Sequence, residues 1–387
     1  MIGWKECALG DVLTLQRGFD ITKAAQTSGP VPVVSSSGIN SFHDVPLVKA
    51  PGVVVGRKGS LGTCFFLGTD FWPHDTTLWV KDFKGNDPRF CFRLLQSLDL
   101  AHLDVGSANP TLNRNHAHLL RVRVPALEEQ RRIASILGAY DDLIEVNRRR
   151  VAVLEAMARD LYEEWFVRFR FPGHPKHNIS RPFVGSHPIG WSGGVLGDLV
   201  ELRRDKTAPG EHLSDRVYLP IECIGRRTLA LAETRPWSEA QSSLQLFERG
   251  DILFGAMRAY FHKVLPAPMA GITRATCFVL RPRSPILFAF ATLTLFRDET
   301  VTFAAANSKG STIPYAHWSG SLERFPIALP PSGLLRQFDR IVRPLLDQIM
   351  ATYETNRLLF ASRDLLLPRL ISGELAVAAA ARELEAA

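Results

Sequence analysis

The segment from Val124 to Arg170 decides the fold class of this chain, and it reads VPALEEQRRIASILGAYDDLIEVNRRRVAVLEAMARDLYEEWFVRFR. Its apolar residues recur in alternating steps of four and three, the spacing of a coiled-coil seam: Ile133, Leu137, Tyr140, Ile144, Val151, Leu154, Ala158, Leu161 and Trp165. Asn147 fills the one gap. A helix of about 43 residues within this segment is a rod of roughly 65 Å, and its apolar seam needs a partner helix.

The segment 329–375 supplies that partner. The same spacing runs through Phe338, Val342, Leu345, Ile349, Thr352, Asn356, Leu359, Arg363, Leu366 and Leu370. Pro344 predicts a kink or a restart of the helix. A buried asparagine costs stability and fixes register by pairing with another polar group. We therefore expect Asn147 and Asn356 to mark the register of an antiparallel pair.

The chain also contains an internal repeat. The residues Ile2-Gly3-Trp4, Leu9-Gly10-Asp11, Leu15 and Arg17 recur 187 positions later as Ile189-Gly190-Trp191, Leu196-Gly197-Asp198, Leu202 and Arg204. Eight matches at a constant offset indicate a tandem duplication. The predicted division is two domains at 1–123 and 189–328, long helices at 124–170 and 329–375, a proline-rich linker at 171–188 and a tail at 376–387.

Short apolar runs separated by turn residues predict the strands of both domains. They are VPVVSSSG, GVVVG, TCFFLG and TTLWVKD in the first domain, and VYLPIECI, GDILFGAM, HKVLPA and TCFVLRP in the second. The runs PRFCFRLLQSLDLAHL and ILFAFATLTLFRDETVTFAAA predict one helix in each. The fold class is thus α+β, with two tandem-repeated mixed α/β domains joined by two long helices in an antiparallel coiled coil.

Composition narrows the class of protein. The chain has 387 residues, a net charge of +7 and five cysteines without a CxxC pair, and it contains no apolar run long enough for a membrane span. These features predict a cytoplasmic protein, and the positive charge suits a polyanion such as DNA. No GxGxxG, GxxxxGK[ST] or HExxH motif is present. We therefore expect neither catalysis nor a bound nucleotide or metal ion.

The first domain offers three polar loops as candidates for binding. In GRKGSLG, Arg57 and Lys58 stand between glycines, which let a backbone approach a phosphate, while arginine can bond a guanine edge. An ordinary charged hairpin is the alternative interpretation. The candidate residues in the three loops are Arg57, Lys58, Ser60, His74, Asn113 and Arg114.

The second domain has corresponding loops with different residues. Its candidates are Arg226, Arg227, Arg258, Tyr260, Lys309 and Ser311. If both domains bind DNA, they should therefore read different sequences. The Arg148–Arg150 run within the first long helix is interpreted as a solvated helix face.

Several motifs in the two rods are those of a known family. They are PALEEQ at 125–130, LYEEWF at 161–166, LPP at 329–331, RDLLLPRL at 363–370 and SGEL at 372–375. With them, the chain resembles the specificity subunit of a type I restriction-modification system. GRKGSLG, WPHDTT and GSANPTLNRN are similar to stretches of that family's target-recognition domains. The second rod lacks an acidic pair like Glu128-Glu129, and the second domain lacks the RKG and PHD runs.

The resemblance implies a DNA reader that is not itself an enzyme. Each target-recognition domain would take one half of a bipartite asymmetric site in double-stranded DNA, and the rods would fix the gap. Two modification subunits would dock on the rods and methylate adenine, and a restriction subunit can join them. S-adenosylmethionine, ATP and Mg²⁺ would belong to those partners. The alternatives are a coiled-coil scaffold and a self-sufficient DNA methyltransferase or nuclease.

Overall fold

A computed structural model of the chain describes residues 3–103, 110–173, 179–180, 187–310 and 312–377. The chain divides into two compact units. Unit 1 comprises Met1–Ile144 with Leu358–Ala387, and unit 2 comprises Glu145–Arg357. Both boundaries fall inside long helices, so each unit holds a section of two rods. No helix within the described ranges has the length and apolarity needed to cross a membrane.

Unit 1 is a mixed α/β structure. Its strands are β1 Lys5–Ala8, β2 Thr14–Arg17, β3 Val31–Ser35, β4 Gly38–His43, β5 Gly52–Gly56, β6 Cys64–Leu67, β7 Trp72–Pro73, β8 Thr77–Asp82 and β9 Arg121–Val124. Its short helices are α1 Leu9–Val12, α2 Pro88–Ser97 and α3 Arg114–Leu119, and α4 is the long helix Leu127–Tyr162. The four runs predicted as strands contain β3, β5, β6 and β8, and the predicted helix contains α2.

The main sheet of unit 1 has the order β2-β8-β5-β6, with every pair antiparallel. All five residues of β5 are buried, because the strand lies inside the sheet and side chains cover both of its faces. A second sheet has the order β4-β3-β7, and β1 pairs with β9 in a separate ribbon. The central strand β5 ends at Gly56, directly before Arg57 and Lys58.

In unit 1 the first part of α4 packs against the last part of the second rod. Ile133 and Leu137 share one core with Leu366 and Leu370, which are 6% or less exposed. Arg363 lies within the predicted apolar seam, and its Nη1 donates to Asp141 Oδ1 at 2.8 Å. The ion pair explains how a charged residue is accommodated in that seam.

Unit 2 contains more strands than unit 1. They are β10 Ile179–Ser180, β11 His187–Pro188, β12 Ser192–Val195, β13 Val200–Arg203, β14 Lys206–Thr207, β15 Val217–Tyr218, β16 Arg235–Pro236, β17 Leu244–Phe247, β18 Ile252–Gly255, β19 Val264–Pro266, β20 Gly271–Arg274, β21 Cys277–Pro282 and β22 Pro326–Leu329. Its helices are α5 Leu196–Leu199, α6 Phe288–Phe296 and α7 Asp298–Ala306, followed by the second long helix, α8 Ser332–Ile371.

The four-stranded sheet of unit 2 has the order β13-β21-β18-β19. These strands correspond in turn to β2, β8, β5 and β6 of unit 1, so the two main sheets have the same strand order. The ribbon β12-β22 likewise corresponds to β1-β9. The second sheet of unit 2 has the order β14-β17-β20-β15-β16, and its parallel pair β15-β20 corresponds to the parallel pair β3-β7 in unit 1. The two units thus share one pattern of strand pairing, and in the described residues the second sheet of unit 2 has five strands where that of unit 1 has three.

Four details of the sequence prediction need correction. The run VYLPIECI is a strand only at Val217–Tyr218, because Pro220 has no N–H to pair and a 3-10 turn follows at Ile221–Cys223. The single helix predicted for 286–306 is broken at Arg297, whose ψ of 145° is extended. Pro344 lies inside α8, which continues through it between buried Val342 and Leu346. Val124 and Leu329 belong to strands and not to the rods.

Within unit 2 the two rods contact each other along their seams. Asn147 Nδ2 donates to Asn356 Oδ1 at 2.8 Å, and Asn147 is 7% exposed. Further along, the ring centroids of Tyr162, the last residue of α4, and Phe338 are 6.2 Å apart. The early part of α4 thus meets the late part of α8, and the late part of α4 meets the early part of α8, so the helices are antiparallel inside this unit.

Candidate nucleic-acid interface

The loop after β5 in unit 1 holds Arg57 and Lys58 through its backbone. The N–H groups of both residues donate to the carbonyl oxygen of Thr76, at 2.9 and 3.0 Å. Gly56 allows this turn, because a Cβ there would lie 1.9 Å from the carbonyl oxygen of Ser60. Ser60 is itself exposed. The loop is therefore set against the segment that contains His74.

The third polar loop of unit 1 joins the same frame. Lys58 pairs with Thr111 as an antiparallel bridge, and Leu112 N donates to Arg57 O at 3.0 Å. Asn113 caps α3 by accepting from Asn115 N at 2.9 Å, and exposed Arg114 begins that helix. The three loops that the sequence singled out thus meet, although Asn109, at the start of the third, lies outside the described residues.

An ion pair stands beside the two cations of the loop. Arg17 Nη2 donates to Asp75 Oδ2 at 2.9 Å, and Arg57 Nη1 donates to Asp75 O at 3.3 Å. Burial, followed by the charge of Arg17, lowers the pKa of Arg57, while Asp75 opposes the shift. Cations are therefore concentrated here, as a surface that binds a polyanion requires.

The imidazole of His74 lies beside the same ion pair. Its Nδ1 lies 3.0 Å from Asp75 Oδ1 and accepts from Thr76 N at 3.3 Å. Asp20, His74 and Asp75 have ligand atoms within 4.8 Å of one another, close enough to surround a metal ion. A bound metal ion would need the negative charge of Asp75, but the guanidinium of Arg17 already neutralises that charge. The ion pair thus accounts for the position of Asp75 in this cluster.

Unit 2 repeats the backbone frame with other side chains. Ala256 N and Met257 N donate to Thr276 O at 2.8 and 3.2 Å, as Arg57 and Lys58 do to Thr76. Met257 bridges to Tyr315, and Ala316 N donates to Ala256 O at 2.9 Å. Ala256 and Met257 therefore replace Arg57 and Lys58, so the cations of unit 2 must come from other positions.

Three predicted residues of unit 2 lie on loops around this frame. Arg258 has a left-handed backbone with φ 52°, and its N–H donates to Pro314 O at 2.8 Å. Lys309 exchanges backbone hydrogen bonds with Tyr315 at 2.9 and 2.8 Å, and Tyr260 is 53% exposed. Ser311, the remaining candidate of this group, lies outside the described residues.

Arg226 and Arg227 lie on a separate loop. A backbone hydrogen bond to His262 joins this loop to the segment that contains Arg258. Arg227 N donates to His262 O at 2.9 Å, and its Nη1 donates to Asp298 Oδ1 at 2.9 Å. The guanidinium of Arg226 stacks 3.9 Å from the ring centroid of Phe261. Both arginines are therefore held at defined positions.

His262 is a buried residue of the loop that carries Arg258 and Tyr260, and the sequence does not predict it as a binding residue. It is 3% exposed, and its Nε2–H donates to Phe296 O at 2.8 Å, since a carbonyl only accepts. Burial lowers the pKa of His262 and favours the neutral ring. No sequence motif marks this residue, because its role comes from contacts with loops distant in the chain.

Sequence reasoning also passed over Arg17 and Arg204. Both are matching positions of the repeat, and the sequence predicts neither as a binding residue. Arg17 meets Asp75 in unit 1, and Arg204 borders a cleft in unit 2. A cation retained at one position of both repeats was the signal that could have identified them.

Comparison with known proteins shows what the chain is similar to. A model of the type I restriction modification DNA specificity domain matches residues 1–156. The chain is 24% identical over 290 residues to the specificity subunit of the type I restriction enzyme MjaIX of Methanocaldococcus jannaschii, covering 72% of this chain and 66% of that protein. It is 24% identical over 145 residues to the EcoprrI specificity subunit of Escherichia coli, covering 36% of each.

The chain thus matches no more than about two thirds of the length of either relative. A crystal structure of the S subunit of a type I restriction-modification system from M. genitalium superposes with a TM-score of 0.63 at 14% identity, covering 96% of each chain. At that identity the superposition establishes a shared fold. The matched domain, the two relatives and the superposed structure are all those of type I restriction-modification specificity subunits, to which this chain is similar.

Proposed function

We propose that the chain is the DNA-binding specificity subunit of a type I restriction-modification complex. Its target-recognition domains, at 1–123 and 189–328, each read one half of a bipartite, asymmetric site in double-stranded DNA. The observation that carries the proposal is the common loop frame, which presents Arg57 and Lys58 in unit 1 and different residues in unit 2. One frame with two sets of side chains suits two different half-sites.

The chemistry of the loops suits recognition of DNA without catalysis. Arg57 is half-buried, and its guanidinium fork matches the O6 and N7 atoms of a guanine. Lys58 is exposed and suits a phosphate, where a point charge is sufficient. His74, Asn113 and Arg114 add polar groups at the same frame. Phosphate contacts would position the protein, and base contacts would give the specificity.

The paired helices would set the gap between the half-sites and dock two modification subunits, with Asn147 and Asn356 fixing their register. Support for docking comes from large apolar side chains that point to solvent on α4 in unit 2. They are Val146, Val153 and Met157, at 57%, 58% and 48% exposed. Such a row suits a partner helix. S-adenosylmethionine would then be bound by the modification subunits.

Methylation mapping tests this function. DNA from cells that express the chain with its modification subunits should be methylated at two different half-sequences around a fixed gap. Arg57→Ala should relax one position of a single half-site, since a bidentate contact contributes about 1–3 kcal/mol of discrimination. Arg121→Ala is the matched control, because Arg121 is exposed and pairs with Glu6 on the ribbon β1-β9.

Three results would contradict the proposal. A contiguous palindromic motif would exclude domain-wise reading, and so would equal loss of both half-sites in Arg57→Ala. A complex that binds DNA without dependence on salt, or not at all, would favour the scaffold alternative. Methylation or cleavage by the purified chain alone would make it an enzyme.

A further inference from the structure

Unit 2 contains an open cleft beside its loop frame. The cleft has a volume of about 420 Å³, and its lining includes Arg204, Lys206, Gln245, Phe278, His317 and Trp318. The rings of Phe278 and Trp318 form one wall, with centroids 6.3 Å apart. An apolar wall beneath two cations is suited to a ligand that is flat and rich in hydrogen-bond acceptors.

The cleft occupies the place that the Arg17–Asp75 ion pair occupies in unit 1. Thr276 accepts the same two backbone hydrogen bonds as Thr76, so its neighbour Ala275 corresponds to Asp75. Arg17 pairs with Leu78 in the sheet, and Arg204 directly follows Arg203, which pairs with Val279. The repeat therefore keeps the arginine and replaces its carboxylate partner with a methyl group.

Because unit 2 has no carboxylate at the position of Asp75, Arg204 is available to a ligand. Its Nη2 donates to Ser319 Oγ at 3.4 Å, which orients the group without neutralising it. The neighbouring acids Glu201 and Asp205 both pair with Arg203, at 3.5 and 3.0 Å. Among the residues that the structure describes, Arg204 and Lys206 have no acidic partner within ion-pair distance.

We propose that Arg204 is a base-reading residue of unit 2, contacting a guanine edge from this cleft, and that Lys206 holds an adjacent DNA phosphate. The assignment rests on the proposed function. Arginine presents the planar fork that matches guanine O6 and N7, whereas lysine is a point charge. Arg204 is also the cation that stands at the same repeat position as Arg17, which Asp75 neutralises in unit 1.

The test uses the complete complex with its modification subunits. Methylation is first mapped with the unchanged chain, and binding is then measured on duplexes altered at each position of both half-sites. Arg204→Ala should reduce discrimination at one guanine of the second half-site by roughly tenfold to a hundredfold. Lys206→Ala should weaken binding to all sequences alike and lower the slope of log affinity against log salt by about one.

Ala275→Asp provides a test that leaves Arg204 in place. Ala275 is exposed, so the new carboxylate is accommodated and should pair with Arg204 as Asp75 pairs with Arg17. We expect the same loss of discrimination as in Arg204→Ala, and no further loss when the two changes are combined. Ala275→Asn has the same shape without charge and should keep discrimination near that of the unchanged chain.

Several results would contradict the assignment of Arg204 as a base-reading residue. Loss of affinity in Arg204→Ala that is equal for every sequence would make Arg204 a phosphate contact and overturn the assignment. Unchanged discrimination, a change at the first half-site, or additive effects of Arg204→Ala and Ala275→Asp would also overturn it. In all these cases Arg57→Ala still reports on the proposed function separately, because that residue lies in unit 1.

Discussion

Removing the carboxylate of Glu155 should loosen the loop that carries Arg226 and Arg227 without altering either arginine. Glu155 lies on α4, is 6% exposed, and accepts from Thr228 Oγ1 at 2.5 Å and from Leu229 N at 2.7 Å. Thr228 and Leu229 directly follow Arg226 and Arg227. The long helix therefore anchors the segment that presents these two arginines.

The size of the effect follows from the two hydrogen bonds. Each bond to a charged acceptor contributes about 1.5–3 kcal/mol, so Glu155→Ala should lower the free energy of unfolding by about 3–6 kcal/mol. Leu229 is fully buried, so its N–H would be left without a partner or water. For a domain of this size the melting temperature should fall by about 2–4 °C per kcal/mol.

Two variants of the same helix make the comparison specific. Glu155→Gln keeps an acceptor oxygen at the same length and should lose less stability than Glu155→Ala. Glu145→Ala removes an exposed ion pair with Arg149, which contributes about 0.3–0.5 kcal/mol. Calorimetry measures stability, and methylation mapping measures recognition. In Glu155→Ala the second half-site should lose modification while the first keeps it.

The reasoning would be refuted if Glu155→Ala melted like Glu145→Ala, because the two buried hydrogen bonds would then contribute nothing. Loss of the first half-site together with the second would show that the anchor serves both units. Full retention of the second half-site in a destabilised protein would show that the loop does not contribute to recognition.

Two further substitutions test the register and the loop frame. Asn147→Leu leaves the amide of Asn356 without its partner and should cost about 1–3 kcal/mol in a urea titration; replacing both asparagines with leucine should recover that loss, and a single variant of full stability would contradict the pair. Gly56→Ala places a Cβ at 1.9 Å from Ser60 O, so we expect about 1–3 kcal/mol of destabilisation and weaker modification of the first half-site. Gly68→Ala, where a Cβ meets nothing within 4 Å, is its control, and equal behaviour of the two would argue against a required glycine at Gly56.

Local patterns were sufficient to predict the long helices and three of the four strands in the main sheet of each unit. The four-three spacing around Asn147 is a property of one helix, and the apolar run of β5 is a property of one strand. The break at Arg297 and the continuation through Pro344 were not predictable in this way. In α8 the buried side chains on both sides of the proline keep the helix in place, and such tertiary packing overrides local propensity.

Only part of the candidate site could be predicted from the local sequence. Glycines and cations predicted that Arg57 and Lys58 lie on a loop, but Thr76 and Thr111, which fix that loop, are distant in the chain. The same is true of His262, which bonds both Arg227 and the end of α6. Residue type and spacing cannot specify such partners, because each contact depends on where the chain returns.

The sequence by itself determined the duplication, the apolar seams and the presence of an arginine at Arg17 and again at Arg204. The tertiary structure decided that one of these arginines is neutralised by Asp75, whereas the other faces a cleft beside Ala275. The physical reason is that periodicity and composition act within a single element, while charge pairing and access to a ligand depend on side chains brought together from separate elements.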